Sequence, residues 1–244
     1  MLWRTLAAVA TLAAQAAAHG YISNLWNPTV NPEGYCIRPY EDVVVRKEPV
    51  TDRSSAEMTC GHLPGAADAA DTATCAVTAG DDIALQWTVM YSGHLGVVIV
   101  YMAELSSAGD GDAWWKVYYD GYHPAEDHWA TTTLWDDGGM LWMTVPDYLP
   151  TGDYLIRGEV ISLHNASYVD GAQFFINCLQ VHVENGSDDT VDVADIPKVA
   201  IPGYYTSSTP GLHVDIWIDD LSDYPVIGPA LYTPGVAESA AVSS

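Results

Sequence analysis

Apolar and polar positions along this chain alternate with a period of two far more often than with a helical period. Residues 82–89, DIALQWTV, put Ile83, Leu85, Trp87 and Val89 on one face, the pattern of a strand with one side in a core. Residues 96–105, GVVIVYMAEL, are apolar without a break and rich in β-branched side chains, which predicts a buried strand. Further strands are expected over 114–119 (WWKVYY), 140–145 (MLWMTV), 153–164 (DYLIRGEVISLH) and 172–184 (AQFFINCLQVHVE), with GLHVDIWIDD (211–220) as the last. Turn-forming stretches, TAGDD, DDGG, PTGD and NGSDD, separate several of these runs. Many short strands with little helix predict an all-β fold, an antiparallel β-sandwich of immunoglobulin or fibronectin-like type. Residues 24–79 are irregular and rich in Pro, Gly and Asp, and are read as long loops decorating the sandwich. No internal repeat and no Ser/Thr-rich linker interrupts the chain.

The first 18 residues follow a different pattern. One positive charge at Arg4, an alanine-rich apolar stretch and Ala16-Ala17-Ala18 have the layout of a secretory signal peptide cut after Ala18. The apolar part falls well short of the ~20 residues that span a bilayer. The expected product is a secreted, extracellular chain, 19–244, forming one domain with a polar tail from about residue 233. Acidic residues number 32 against 8 basic ones, a net charge of −24, which excludes nucleic-acid partners and disfavours anionic membranes. A neutral or cationic partner is favoured, and the chain is expected to be a monomer. Four cysteines in a secreted chain imply two disulfides, and three pairings are open.

The usual hydrolase and nucleotide motifs are missing: no G-x-S-x-G elbow, no H-E-x-x-H helix, no phosphate loop. The informative residues are histidines. After cleavage His19 would be the terminus and would offer two nitrogens, its α-amino group and Nδ1, which together close a chelate ring. A second histidine would complete a three-nitrogen set with open positions, the chemistry that suits Cu(II).

Six segments in one order carry a resemblance to a known family: HGYISNLW, TAGDDIALQWTV, SGHLGVVIVYMAEL, TVPDYLPTGDYLIRGEVISLH, DGAQFFINC and PGLHVDIWIDDLSDYPVIGP. Together they resemble the fungal copper-dependent lytic polysaccharide monooxygenases of auxiliary activity family nine, from His19 to about Leu231. The resemblance implies one copper ion held by His19 and His94, with His164 and Gln173 orienting oxygen species beside it. It implies a Cys60–Cys178 disulfide, which leaves Cys36 for Cys75. Three departures mark a divergent member. Phe175 stands at the axial tyrosine position, Val97 replaces a proline after H-x-G, and the closing I-P-G-P reads VIGP.

The implied activity is oxidative cleavage of a β-1,4-linked polysaccharide, cellulose or a related glucan, at C1, C4 or both, with electrons from an external donor. Tyr21 and Tyr224 are the candidate rings for stacking on sugar faces. Asn165 and Asn185 open glycosylation patterns, and a glycan on Asn165 would crowd His164. Two rival readings share these residues. One is a non-oxidative copper-binding protein on the same fold, which Phe175 keeps open, and the other is a lectin-like glycan-binding module.

Overall fold

Strands dominate the computed structural model, which describes residues 19–27, 32–39, 47–62, 72–88, 91–184 and 190–236. The leader-like segment 1–18, Asn185 and the end of the tail beyond 236 lie outside the described residues. Among the described residues eleven strands are formed: β1 (Ile22–Trp26), β2 (Cys75–Thr78), β3 (Asp82–Trp87), β4 (Gly96–Glu104), β5 (Asp112–Asp120), β6 (Tyr122–His123), β7 (His128–Trp129), β8 (Met140–Thr144), β9 (Gly152–Ser162), β10 (Gln173–Glu184) and β11 (Val199–Ala200). Among the described residues two short α-helices join them, α1 (Glu57–Cys60) and α2 (Ala130–Asp136).

The strands assemble into a three-stranded sheet in the order β1-β3-β8, a six-stranded sheet in the order β11-β5-β4-β9-β10-β2 and a two-stranded hairpin of β6 and β7. The alternation read from 82–87 is what the small sheet needs: Ile83, Leu85 and Trp87 point to the space between the sheets. They meet Val98, Val100 and Met102 of β4, Val160 of β9 and Phe175 and Leu179 of β10 in the inner core. The large sheet is covered on its other face too. Val97, Ile99 and Tyr101 of β4, Leu155 and Ile161 of β9 and Phe174 of β10 pack there against Met58, Tyr205, Leu212 and Ile227 from the connecting segments. Double coverage explains why β4 is apolar at every position from Val97 to Ala103.

The long central pairings fix the register. β4 runs against β9 from Gly96↔Ser162 to Glu104↔Tyr154, and β9 against β10 from Gln173↔Ser162 to Val183↔Gly152. Gly96 has room for nothing larger, because a Cβ there would fall 1.9 Å from the Ile161 carbonyl oxygen. The outer core also buries charge. Arg157 donates to Glu159 Oε1 (2.8 Å) and to the carbonyls of Met58 and Thr59, while Tyr205 donates to Glu159 Oε2 (2.7 Å) and exchanges a hydrogen bond with Tyr101. Both oxygens of Glu159 are hydrogen-bonded, which helps such a pair to be tolerated without water, while Arg157 Nη1 has no hydrogen-bond partner among the described residues.

Three features differ from the sequence reading. Pairing is antiparallel except between β2 and β10, which run parallel. The segment 24–79 holds parts of β1, all of α1 and β2 among its loops. GLHVDIWIDD is not a strand. Asp215 accepts from Trp217 N through its side chain and from Ile218 N and Asp219 N through its carbonyl, so the segment folds on itself as a turn. Both disulfides form, Cys36–Cys75 and Cys60–Cys178, the second tying α1 to the middle of β10.

Candidate metal centre

The two long pairings bring three chain segments to one end of the sandwich, and the start of β1 joins them from the small sheet. His19 precedes β1, His94 precedes β4, His164 follows β9, and Gln173 and Phe175 open β10. The start of β1 is pinned by Ile22 N donating to Asn177 Oδ1 (2.6 Å) and by Tyr21 N donating to Thr88 Oγ1 (3.1 Å). The His19 and His94 rings then lie 5.4 Å apart, centre to centre, at 85°. The Phe175 ring lies 5.5 Å from His19 and 5.8 Å from His94, and the His164 ring lies 4.6 Å from His94.

Hydrogen bonds decide which nitrogens are available. The Tyr91 carbonyl can only accept, so His94 carries its proton on Nδ1, donates it to Tyr91 O (3.2 Å) and keeps a lone pair on Nε2. The ring is 6% exposed. Burial first, then the neighbouring His164 and His19 imidazoles, push its pKa down to about 4, so it is neutral at neutral pH. His164 is lowered as well, by burial and by His19. Asn165 Nδ2 can only donate, so His164 Nε2 accepts from it (3.0 Å), and the Nδ1 proton goes to Ser162 Oγ (2.7 Å). Glu48 brings a carboxylate oxygen 3.6 Å from His19 Nδ1.

Among the described residues no three His, Cys, Asp or Glu side chains gather as a metal site. A centre here would therefore rest on two imidazoles plus a main-chain nitrogen. The surroundings fit copper on that basis: the donors would be nitrogens, His94 keeps an unprotonated Nε2, and the adjacent Phe175 would add no ligand. Gln173 adds a buried amide oxygen, Oε1, with no hydrogen-bond partner among the described residues. Gln173 pairs in register with Ser162, and a buried polar atom left without a partner at that end of β10 suits a bound group that would engage it.

The whole region matches one family model, Auxiliary Activity family 9 (formerly GH61), over residues 19–224. This chain belongs to Auxiliary Activity family 9. Relatives include the AA9 family lytic polysaccharide monooxygenase A of Aspergillus kawachii, 35% identical over 242 residues, covering 93% of this chain and 56% of that protein. Another, from Trametes coccinea, is 34% identical over 257 residues, covering 98% of this chain and 88% of the relative. The chain thus spans little more than half the length of the Aspergillus protein. The solved structure of CvAA9A superposes with a TM-score of 0.74 at 26% identity, covering 88% of this chain and 98% of that one. The extended catalytic domain of H. jecorina LPMO9A shares the fold at a TM-score of 0.71 and 23% identity, covering 93% and 94% of the two chains.

The remaining expected site residues divide. Tyr21 is buried at the root of β1. Tyr224 donates its hydroxyl to the Gly211 carbonyl and sets its ring edge-on to Trp129, 5.0 Å away. Both rings are built into packing, which leaves neither as an open platform. The exposed rings are others that the sequence reading missed. Tyr91 stands edge-on to His94, Tyr168 lies in the 164–171 turn, and Trp217 donates Nε1 to the His164 carbonyl while 60% exposed. Trp217 escaped notice because the alternation around it reads as a strand. Asn165 is exposed with its amide nitrogen on His164.

Proposed function

We propose that this chain is a secreted, monomeric, copper-dependent monooxygenase that cleaves β-1,4-linked polysaccharide, cellulose or a related glucan, by oxidation at C1, C4 or both. One observation carries the reading: the His19 and His94 rings stand 5.4 Å apart, nearly perpendicular, with the lone pair of His94 Nε2 free. Removal of residues 1–18 would add the α-amino nitrogen of His19, whose pKa of about 8 lets a metal displace its proton near neutrality. A family match that opens at residue 19 supports that boundary. One copper ion bound there, supplied with electrons by an external donor, would provide the oxidising power for a C–H bond of the glycan.

The chain's own residues prepare the place. Burial keeps His94 unprotonated, and the Tyr91 carbonyl fixes its ring. Phe175 closes the inner side with an apolar ring and brings neither ligand nor phenolic proton, so the redox balance rests on the nitrogens alone. Ser162 and Asn165 hold His164, and Gln173 presents its amide oxygen. Tyr91, Tyr168 and Trp217 offer exposed ring faces for sugars, and a neutral glycan meets no penalty from a charge of −24. A glycan on Asn165 would narrow this surface.

The test is incubation of the copper-loaded protein with cellulose, xyloglucan and chitin, ascorbate and peroxide, and detection of oxidised oligosaccharides by mass spectrometry. His19→Ala is expected to abolish both tight copper binding and products. A chain that begins at His19, binds copper and releases no oxidised sugar from any of these substrates refutes the reading.

A further inference from the structure

A second pair of imidazoles stands on the small hairpin β6–β7, a different strand pair from those that carry His19 and His94. We infer that His123 and His128 form a surface site for a borderline divalent cation, Zn2+ or Cu2+. The two residues are register partners on adjacent antiparallel strands. Directly opposed residues project to the same side with Cβ atoms about 5 Å apart. Their ring centres are 6.3 Å apart and the planes are inclined by 52°. Two imidazoles sharing one zinc ion through bonds of about 2.0 Å have centres roughly 5 to 6 Å apart, so a small side-chain rotation closes the gap.

The partners of the two Nε2 atoms leave Nδ1 of each ring open. The Asp120 carboxylate can only accept, so His123 Nε2 carries the proton and donates it to Oδ1 at 2.6 Å. Thr133 Oγ1 stands 2.6 Å from His128 Nε2 and accepts its N–H when that ring uses Nδ1. Each ring is then left with an unprotonated Nδ1, for which no hydrogen bond is found among the described residues. This is the arrangement of metal-binding histidines, in which the far nitrogen donates to a carboxylate or hydroxyl that orients the ring. The His123 side chain is 48% exposed, so water can complete the coordination. Glu126 and Asp127 in the turn add negative charge, and Asp127 also accepts from the Tyr122 hydroxyl. The hairpin is braced from behind by Tyr122 against Trp129 (4.8 Å). A two-imidazole site with water ligands binds more weakly than a four-ligand cage.

The experiment is calorimetric titration of ZnCl2 into the full chain carrying His94→Ala, which removes the first pair from competition. One Zn2+ per chain is expected to bind, with the ring resonances of His123 and His128 shifting together in NMR spectra. Adding His123→Ala or His128→Ala is expected to weaken binding at least tenfold with the circular dichroism unchanged, and Asp120→Ala about tenfold through the lost orienting bond. Zn2+ affinity that is absent, or that survives both histidine substitutions, overturns the inference. Should His94→Ala fail to fold, the same resonances are followed in the unsubstituted chain: shifts in His123 and His128 on Zn2+ addition sustain the site, and their absence overturns it.

Discussion

His94 is made ready by its surroundings: the carbonyl of Tyr91 takes the proton from one nitrogen and burial denies a second proton to the other. The sign of the resulting pH dependence follows. An unfolded histidine takes up a proton as pH falls below about 6.5, whereas the folded ring resists until about 4. The metal-free protein should therefore lose stability as pH falls from 6.5 to 4, by about 3 kcal/mol from this residue alone, and keep the full contribution above 6.5. Urea midpoints across that range should slope less steeply in His94→Asn than in the unsubstituted chain. His164 invites a second test. Asn165→Asp places an acceptor opposite Nε2 and should draw a proton onto that nitrogen, seen as a move of its 15N resonance to the protonated range. The histidines themselves were legible in the sequence, since a terminal His and an S-G-H segment can be read from letters. Ser162, Asn165 and Glu48 were not legible as partners, because each meets its ring only through the register of strands and turns distant in sequence or through a local turn geometry.

At the level of elements, legibility followed burial. The strands from Gly96 to Glu104 and from Gln173 to Glu184 were found nearly to the residue, the first because double coverage leaves an unbroken apolar run and the second because most of its positions are apolar despite the interior Asn177, Gln180 and His182. GLHVDIWIDD carried a comparable pattern and failed as a strand, because Asp215 satisfies the backbone locally and leaves Ile218 outside. The parallel pairing of β2 with β10 was also hidden, as four residues carry too little pattern to reveal their neighbour. Gly96 is the element-level weak point of the site. Gly96→Ala would drive its Cβ into the Ile161 carbonyl and part β4 from β9 next to His94, with an expected loss of about 2 to 3 kcal/mol in denaturant titration. The disulfides should differ in weight. Cys60–Cys178 closes 118 residues and Cys36–Cys75 closes 39, so replacing each pair by serine should cost about 5 and about 4 kcal/mol respectively, read from thermal midpoints of the two variants.

For the whole molecule the dominating quantity is the charge of −24. Like charges on one compact surface repel, and salt shortens the reach of that repulsion to about 8 Å at physiological ionic strength. The thermal midpoint should rise by several degrees as NaCl is raised from about 0.01 M to 0.15 M at neutral pH. A midpoint that falls instead would show that attractive surface pairs outweigh the excess of acids. The central strands β4 and β9 face two cores at once, one against the small sheet and one against the loops behind. Neither layer can peel away while the other stays dry, so loss of the back layer strips the shared strands and melts the histidine end with it. Hydrogen exchange at the amides of Ile99 and Ile161 should then proceed only through complete opening, at one common rate, and the molecule should persist either whole or not at all.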